Sequence, residues 1–278
     1  MIAAKLSVSR DVADKVTRYR MPSLDDPGSA PPGRILGNRL LASLPADELI
    51  GLLPHMERIS LPPRRVLFEA FDDVTHVHFL GAGAVVSLIG AMQDGRSAEV
   101  GVVGCEGAIG GLISGGGKPA SSTAIVQVGG PALRIEAARI EDARRGMPRL
   151  NALLLGFADA LLALVMQSVA CNALHDVQAR ACRRLLDLQD RTGGDELPMT
   201  QEHLAELLGV QRTTITRVIA DLAAAGAIEP RRGRIVIASR AKLRAGACEC
   251  HDVVKRHFEC VVPGLYPVAT PSIPAAGA

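Results

Sequence analysis

The sequence has few aromatic residues and few cysteines. Only 3% of its 278 residues are aromatic, and none is tryptophan. Proteins that bind single-stranded nucleic acid stack successive bases on aromatic side chains, so this composition argues against that class. The six cysteines, at positions 105, 171, 182, 248, 250 and 260, are too few and too dispersed for a disulfide scaffold in a chain of this length. We therefore expect a reducing, cytoplasmic location.

Long apolar runs are also scarce. The first residues, MIAAKLSVSRDVADKV, carry charges where a secretory signal needs an apolar core. Only Ala152–Ala170 approaches the ~20 residues that a membrane span requires. Asp159, Gln167 and Ser168 interrupt this segment, and an aspartate near the centre of a span costs roughly 3 kcal/mol. The segment is better explained as a soluble helix buried on two sides, with no membrane partner.

Signatures of the common enzyme classes are missing. The GGGKP sequence at 115–119 resembles a phosphate-binding loop, but Leu112 stands where its first glycine must be, and Pro119 replaces the Ser/Thr. Neither HExxH nor GxSxG occurs. Cys105 and Cys182 have no identifiable base partner that would make either of them a nucleophile. The prediction is a protein that is not an enzyme and has no catalytic residues.

Positive charge is concentrated in the C-terminal half. With 48% hydrophobic and 22% charged residues, the chain can bury one large or two medium cores. Its formal net charge is only +2, but between Arg180 and Arg244 there are 12 Arg/Lys against 8 Asp/Glu, an excess of four. This is a modest electrostatic footprint for binding phosphates.

The first half predicts a β-domain. Short apolar runs separated by glycines occur between Leu61 and Ile135, at Val66–Phe68, Val77–Leu80, Ala84–Ile89, Val100–Val103, Ala124–Val128 and Ala132–Ile135. Many short strands with glycine turns predict a β-barrel or sandwich, and Asp94-Gly95 between two runs predicts a hairpin. Before them, Ile35–Ile59 predicts one or two short helices, and residues 1–33 predict a loose leader.

A short helix at Glu136–Arg145 precedes a long helical stretch from about Arg149 to Gln189. Apolar or small residues recur in this stretch at alternating steps of four and three, at Leu150, Leu154, Phe157, Leu161, Leu164, Ser168 and Cys171. The residues between them are also largely apolar, so the helix must be covered on both sides. We expect the β-domain on one side and a twin helix from a second subunit on the other. A core helix within a single chain is the alternative.

The segment Met199–Ile237 predicts a winged helix-turn-helix. Thr200 is a suitable N-cap, and Gly209 can take the left-handed conformation that ends one helix before another begins. The second helix, about Arg212–Leu222, has an apolar face formed by Ile215, Val218, Ile219 and Leu222. Gly226 ends that helix, and the hairpin that follows has a basic tip, Arg231–Arg234. Such a motif places its second helix in the major groove of DNA.

The order of these parts resembles the Crp/Fnr family of bacterial transcription regulators. Three stretches carry the resemblance: HVHFLGAGAVVSLIGAMQDGRSAEVGVVGCEGAIGG from His76, ACNALHDVQARACRRLLDL from Ala170, and TQEHLAELLGVQRTTITRVIADLAAAGAI from Thr200. The fold it implies is α+β, with an N-terminal β-roll (a jelly roll like cyclic-nucleotide-binding domains), a long central dimerisation helix and a C-terminal winged helix-turn-helix. The expected division begins with a disordered leader (1–33) and a β-roll that senses an effector (34–146). The central dimerisation helix and hinge (147–190) and the winged helix-turn-helix DNA-binding domain (191–246) follow. A C-terminal extension (247–278) contains a Cys/His segment and ends in a tail expected to be disordered from residue 264.

The resemblance implies a homodimer that binds a pseudo-palindromic site in double-stranded DNA, contacts RNA polymerase, and responds to a signal at the β-roll. The positions that would read bases are Arg212, Thr213 and Arg217, since arginine can donate two hydrogen bonds to guanine. Phosphate or secondary contacts would come from Gln211, Thr214, Thr216, Arg231 and Arg232. Thr213 stands where many members have glutamate, so the site preference of the cyclic-AMP receptor does not transfer. The alternative is a ligand- or redox-sensing module whose helix-turn-helix serves protein contacts.

The cassette that binds the phosphate of cyclic AMP is incomplete. Members that bind this nucleotide have an Arg-Ser/Ala pair, whereas the corresponding Ala120-Ser121 contains no arginine. Lys118 is close by but cannot replace a bidentate guanidinium. Glu106-Gly107 resembles part of the cassette turn in an altered register. The sequence therefore argues against cyclic AMP and leaves the effector unknown.

Soft metal ligands occur only late in the chain. No cysteine precedes Cys105, so the N-terminal cluster that holds iron–sulfur in the oxygen sensors of the family has no counterpart. The C-terminal candidates for zinc or a cluster are Cys248, Cys250, His251, His257 and Cys260. Their spacing matches no metal motif well, so the prediction is no metal, and a helix with surface and core thiols. His175, in helical sequence, is expected to be an ordinary packing or capping residue.

Overall fold

The computed structural model describes residues 37–110 and 119–266. The leader (1–33), Lys118 and most of the expected disordered tail therefore lie outside the described residues. Two short helices come first, α1 (Arg39–Ala42) and α2 (Ala46–Leu52), followed by a 3-10 turn at Leu53–His55. These helices confirm the helical prediction for the start of Ile35–Ile59, but its end is a strand.

Eight strands form a β-roll of two antiparallel four-stranded sheets. The strands are β1 (Glu57–Leu61), β2 (Val66–Phe68), β3 (His76–Leu80), β4 (Val85–Ala91), β5 (Ser97–Val103), β6 (Ala108–Ile109), β7 (Thr123–Val128) and β8 (Gly130–Glu136). One sheet has the order β1-β8-β3-β6 and the other β2-β7-β4-β5. All six predicted runs are strands, while β1 and β6 were missed. Strand β1 pairs with β8 along its whole length, a partner that its own sequence does not reveal.

The predicted hairpin at Asp94-Gly95 is confirmed. It joins β4 to β5, where the Met92 N–H donates to the Arg96 carbonyl across 2.8 Å. Gly95 has φ +83°, in the left-handed region that such a tight turn requires. Between the two sheets, buried Phe79, Leu80 and Ile135 contribute to the core of the roll.

The long helical stretch is two helices. After α3 (Ala137–Gly146), α4 spans Pro148–Leu174 and α5 spans Val177–Thr192. The break is at His175, whose backbone is extended, and at Asp176, whose carboxylate accepts from the Ala179 N–H at 2.8 Å. The Asp176 side chain therefore caps a new helix where periodicity alone predicts continuation.

The heptad seam predicted for the dimer lies inside the single chain. All seven of its residues are buried, Leu150, Leu154, Phe157, Leu161, Leu164, Ser168 and Cys171. Most of them pack in one core with the β-roll and the C-terminal helix. This corrects the assignment of these residues to a contact between subunits: the buried seam faces the chain's own domain.

Helix α4 is long and apolar enough to cross a membrane by length and composition alone. A single helix of this kind is weak evidence for a membrane span, because core helices of soluble proteins have the same length and composition. Its buried seam is accounted for by packing within the chain. The opposite side is exposed and carries Leu155, Leu162, Met166 and Val169, each 53–67% exposed.

A second core forms around α5 and the C-terminal half. Its elements are β9 (Glu196–Leu197), α6 (Gln201–Leu208), α7 (Arg212–Ala224), β10 (Ile228–Arg231), β11 (Arg234–Ile237) and α8 (Arg240–Ala245). Leu185 and Leu188 of α5 pack in this core together with Leu204 and Ile215. Helix α5 thus packs in this second core, although the sequence analysis grouped it with the central helix. We call the β-roll with α1 to α4 the N-terminal body and α5 to α8 the C-terminal body. Val85 and Val102 of the roll also belong to the second core, so the two bodies are docked on each other.

The C-terminal extension folds back along the central helix. Helix α9 (Cys250–Val261) lies against α4, where Phe157 and Phe258 meet edge to face with ring centroids 6.5 Å apart. Disorder was expected from residue 264, but Tyr266 is almost fully buried, and its hydroxyl donates to Asp187 at 3.1 Å. The expectation is therefore wrong for the described residues 264–266, because an aromatic side chain fills the junction of the two bodies.

Candidate nucleic-acid interface

The turn between α6 and α7 is built by local signals in the sequence. The Thr200 hydroxyl accepts from the His203 N–H at 3.1 Å and caps α6. Gly209 ends the helix in the left-handed conformation, with φ +64°. Helix α7 then begins at Arg212, and it buries the predicted face Ile215, Val218, Ile219 and Leu222. Because this face is fixed in the core, the opposite face of α7 is held towards solvent.

The exposed face of α7 carries two arginines without acidic partners. Arg212 and Arg217 are both exposed, and among residues 37–110 and 119–266 no carboxylate forms an ion pair with either of them. Thr213 and Thr214 are exposed on the same helix. Arg217 and Thr213 also line an open cleft between α7 and the start of α5. Unpaired guanidinium groups on a projecting helix can donate hydrogen bonds to anions or to base edges.

The side chain of Thr216 contacts its own domain. Its hydroxyl lies 3.0 Å from Gln201 Oε1 and 3.1 Å from the Arg212 carbonyl oxygen, so it donates to one of these acceptors. Gln211, by contrast, is the exposed N-cap residue of α7 and makes no capping hydrogen bond through its side chain. Thr216 therefore can join α7 to α6 through its hydroxyl, whereas the Gln211 side chain makes no capping hydrogen bond.

The wing between β10 and β11 has a basic tip in which the arginines differ. Gly233 turns the hairpin with φ +75°. Arg231 donates to Glu229 at 3.0 Å, and Arg234 forms an ion pair with Glu196 at 3.3 Å. Arg232 is exposed, and no acidic partner for it occurs in the described part of the chain. Arg232 is therefore the wing arginine whose charge is least neutralised.

Glu106, whose sequence context resembles part of the cassette turn, forms a buried ion pair. Its Oε1 accepts from Arg191 Nε at 2.8 Å, and its Oε2 accepts from the Gly104 N–H at 3.1 Å. Both side chains are at most 1% exposed. The neighbouring Gly107 lies directly against Phe157, since a Cβ there would meet the ring at 2.2 Å. The Glu106 carboxylate thus joins the roll to α5.

A polar cavity opens at the end of the roll where β2, β3 and β8 meet. Arg65, Arg134, Asp72 and His78 are among its lining residues. Burial, together with the electrostatic effect of the neighbouring His76, Arg134 and Arg65, lowers the pKa of His78 to about 4. His78 is therefore neutral at physiological pH. The polar groups of this cavity in the β-roll can form hydrogen bonds with a small anion or a zwitterion.

The C-terminal metal candidates separate into different environments. His251 contacts Asp190 at 2.9 Å, His257 contacts Asp159 at 3.2 Å, and Cys260 is exposed. The other two, Cys248 and Cys250, are buried and close to each other. Of the five candidates that the sequence offered, only these two lie at a common cluster.

Two further members of this cluster were missed. Cys171 was assigned to the helix seam and His175 to ordinary packing, yet their ligand atoms and those of Cys248 and Cys250 all lie within 4.8 Å of one another. The hydrogen bond from Cys248 lowers the pKa of Cys171 to about 4, and Arg183 acts in the same direction. The Cys-x3-His spacing at 171–175, one helical turn, was the signal available in the sequence.

Comparison with known proteins identifies the C-terminal module. Residues 179–245 match the family described as the Crp-like helix-turn-helix domain. No curated protein sequence matches the chain.

Several solved structures have a similar fold. FixK2 from Bradyrhizobium japonicum superimposes with a TM-score of 0.60 at 16% identity, over 69% of this chain and 98% of that one. The c-di-GMP-responsive global regulator CLP of Xanthomonas campestris gives a TM-score of 0.57 at 22% identity, covering 70% and 100%. A transcriptional regulator of the CRP family from Thermus thermophilus gives 0.56 at 19% identity, covering 68% and 96%.

These matches agree with the observed order of β-roll, central helix and winged helix-turn-helix. They confirm the predicted fold class. Residues 179–245 match the Crp-like helix-turn-helix domain, and the chain has the fold of the Crp/Fnr transcription regulators.

Proposed function

We propose that the chain is a cytoplasmic, sequence-specific regulator of transcription that binds double-stranded DNA as a homodimer. The observation that carries the proposal is the exposed face of α7, where Arg212 and Arg217 have no acidic partner in the described residues. A helix of this kind fits the major groove, where each bidentate arginine–guanine pair contributes ~1–3 kcal/mol of discrimination. Thr213 would read a neighbouring base edge.

The wing and the start of α7 would position the domain on the phosphate backbone. Arg232, exposed and without an acidic partner among the described residues, is the principal candidate for such a contact. Arg231 is partly neutralised by Glu229, and we assign it a smaller part. Gln211 and Thr214 are exposed beside Arg212 and would supply secondary contacts. Contacts to phosphates fix register without specifying sequence.

The exposed face of α4 is the proposed dimer interface. Its exposed residues have their own heptad spacing, with alternating steps of three and four, at Ala152, Leu155, Asp159, Leu162, Met166, Val169 and Ala173. Such spacing is typical of a helix that packs along a second helix of the same kind. We therefore propose that α4 of a second copy of the chain packs against this exposed face. The proposed dimer interface thus consists of exposed α4 residues and not of the buried α4 residues that the sequence analysis predicted.

A dimer would present two α7 helices to the same side of DNA. In this arrangement the half-sites are ~10 bp apart, centre to centre, and the site is a pseudo-palindrome. A signal at the β-roll would act through the contacts between the bodies, among them Glu106–Arg191. RNA polymerase is the partner expected downstream, and the identity of the effector is left open. The chain has no assigned catalytic role.

Selection of bound DNA from a random pool tests the proposal. We expect the full chain to enrich a two-fold related sequence that protects two half-sites in footprinting. Enrichment of no sequence, with binding to protein partners instead, would favour the alternative in which the helix-turn-helix mediates protein contacts.

Sedimentation equilibrium tests the interface on α4. Leu162→Glu should convert a dimer into a monomer, because the charge would be buried between two helices. Met92→Glu, at an exposed apolar residue on the β4–β5 hairpin, is the matched control and should remain dimeric. A wild-type monomer, or an unchanged dimer in Leu162→Glu, would contradict the assignment.

A further inference from the structure

Four soft ligands converge where the central helix ends. Cys171 lies in the last turn of α4, His175 follows in the break before α5, and Cys248 and Cys250 lie at the start of the C-terminal extension. Their ligand atoms are mutually within 4.8 Å. We propose that these four side chains bind one tetrahedral zinc ion.

The distances fit a single ion. Zinc binds thiolates at ~2.3 Å, so two sulfur atoms on one tetrahedral ion are about 3.8 Å apart. Cys171 Sγ and Cys248 Sγ are 3.6 Å apart, and Cys250 Sγ is 3.5 Å from His175 Nδ1. A multi-iron cluster distributes its thiolates over several iron atoms and needs wider separations. Three cysteines and one histidine are a common ligand set for structural zinc.

The histidine is oriented as a ligand. His175 Nε2 lies 3.3 Å from the Glu249 carboxylate, while Nδ1 faces Cys250. A carboxylate that accepts the proton of one ring nitrogen leaves the lone pair of the other nitrogen available, and this arrangement recurs at zinc sites. Cys250 Sγ also accepts a hydrogen bond from Gln167 Nε2 at 3.1 Å, a contact that would also stabilise a zinc-bound thiolate. These outer contacts do not follow from the proximity of the four ligands alone.

The surrounding charge suits the complex. Three thiolates, a neutral imidazole and Zn²⁺ carry a net charge of −1. Arg180 and Arg183, both on α5, interact electrostatically with Cys171 and Cys248. Arg183 is mostly buried and also forms an ion pair with Asp187 at 3.4 Å. Nearby guanidinium groups would stabilise a negatively charged zinc–thiolate centre without competing for the ion.

Bound zinc would fasten the break between α4 and α5. Two of its ligands belong to the end of α4 and its exit, and two belong to the segment that follows α8. One ion would thereby cross-link the end of the central helix to the segment that follows the helix-turn-helix in the sequence. Resting on the proposed function, we infer that zinc occupancy restricts the orientation of α7 and so changes DNA affinity.

Metal analysis of the full chain tests the site directly. Protein purified without chelator should contain one zinc per chain by elemental analysis. Replacement by Co²⁺ should give the intense visible bands and the thiolate-to-cobalt charge-transfer band of a tetrahedral thiolate site. Cys248→Ser should lose both signals. Cys260→Ser, at the exposed cysteine, and Cys182→Ser, at a buried cysteine outside the cluster, should retain them.

A milder variant keeps the test valid if ligand variants fail to fold. Glu249→Gln leaves the four ligands in place, and loss of an outer carboxylate weakens zinc binding by about 10–100-fold. Glu259→Gln, on α9, the helix that Glu249 precedes, should bind zinc like the wild type. Equal affinities in the two variants would contradict the role of Glu249. Folding of each variant is checked by circular dichroism.

Three results would overturn the site: wild-type protein that binds less than one zinc after reconstitution, several iron atoms with cluster absorption, or a Cys171–Cys248 disulfide in protein that rejects zinc. DNA affinity is measured separately, with and without one equivalent of zinc. A chain that binds zinc at the four ligands but binds no DNA in either state would leave the metal site intact and refute the proposed function.

Discussion

Helix α5 carries four arginines and helix α7 carries two, and the two helices place them in opposite environments. On α5, Arg184 pairs with Glu99 at 2.7 Å and Arg191 with Glu106 at 2.8 Å, each across the boundary with the β-roll. On α7, Arg212 and Arg217 point into solvent. The same residue type thus serves to dock one body on the other in α5 and is left available to an external anion in α7.

Charge balance explains the difference. Burial alone would raise the pKa of Asp187, but the neighbouring Arg183 and Arg191 lower it, so this carboxylate stays ionised inside the protein. The guanidinium of Arg191 also lies 5.4 Å from the centre of the Tyr266 ring. Buried arginines are tolerated because such partners compensate for lost hydration. A charge without partners must remain in water until a ligand replaces the water.

Removal of Arg191 should have the largest effect. Arg191→Ala leaves the Glu106 carboxylate buried and unpaired, and we expect the free energy of unfolding to fall by about 3–5 kcal/mol. Urea unfolding measures it. Arg139→Ala, which breaks an exposed ion pair with Glu136, is the control and should cost under ~1 kcal/mol. Adding Glu106→Gln to Arg191→Ala should recover part of the loss, and no recovery would contradict the pairing.

Removal of Arg217 should act on DNA binding and leave stability unchanged. We expect Arg217→Ala to weaken binding to the selected site about 5- to 150-fold, from the ~1–3 kcal/mol of a bidentate base contact. Binding to random DNA should change less. Arg256→Ala, at an exposed arginine on α9, is the control. If Arg217→Ala weakens specific and random binding to the same extent, Arg217 contacts phosphate and does not read a base.

The wing arginines should differ in their salt dependence. Arg232→Ala is expected to weaken binding to all sequences several-fold and to reduce the slope of log affinity against log salt by ~1. Arg231→Ala should have a smaller effect, because Glu229 already accepts a hydrogen bond from that guanidinium. Fluorescence anisotropy across a salt series measures both. A larger effect for Arg231→Ala would show that the ion pair opens on DNA.

Thr216 provides the smallest expected effect. Thr216→Val keeps the shape of the side chain but removes the exposed hydrogen bond towards Gln201. The cost to stability should be ~0.5 kcal/mol, and DNA affinity should change little. Loss of DNA affinity at unchanged stability would instead place the Thr216 hydroxyl on the DNA.

The features that sequence predicted well are those set by neighbouring residues. The Thr200 cap, the Gly209 turn and the apolar face of α7 depend on signals a few residues apart, and the structure confirms them. The roles of Arg212, Arg217 and Arg232 in contacting DNA remain predictions.

Features set by distant residues were not predictable. Strand β1 is defined by its pairing with β8, and nothing in Glu57–Leu61 identifies that partner. Cys171 and Cys248 are 77 positions apart, so only the fold brings them together. The two heptad patterns on α4 could not be told apart either, because periodicity locates a face without saying what covers it.

The position of Tyr266 has a practical consequence for anyone dividing this protein into fragments. Its ring is sealed between Arg191 and Phe258, and its carbonyl oxygen accepts from Arg39 near the other end of the described chain. A polypeptide that stopped after the helix-turn-helix, at residue 246, would expose Arg191 and discard Cys248 and Cys250. A stop codon there would remove these interior contacts while leaving every residue proposed to contact DNA in the sequence.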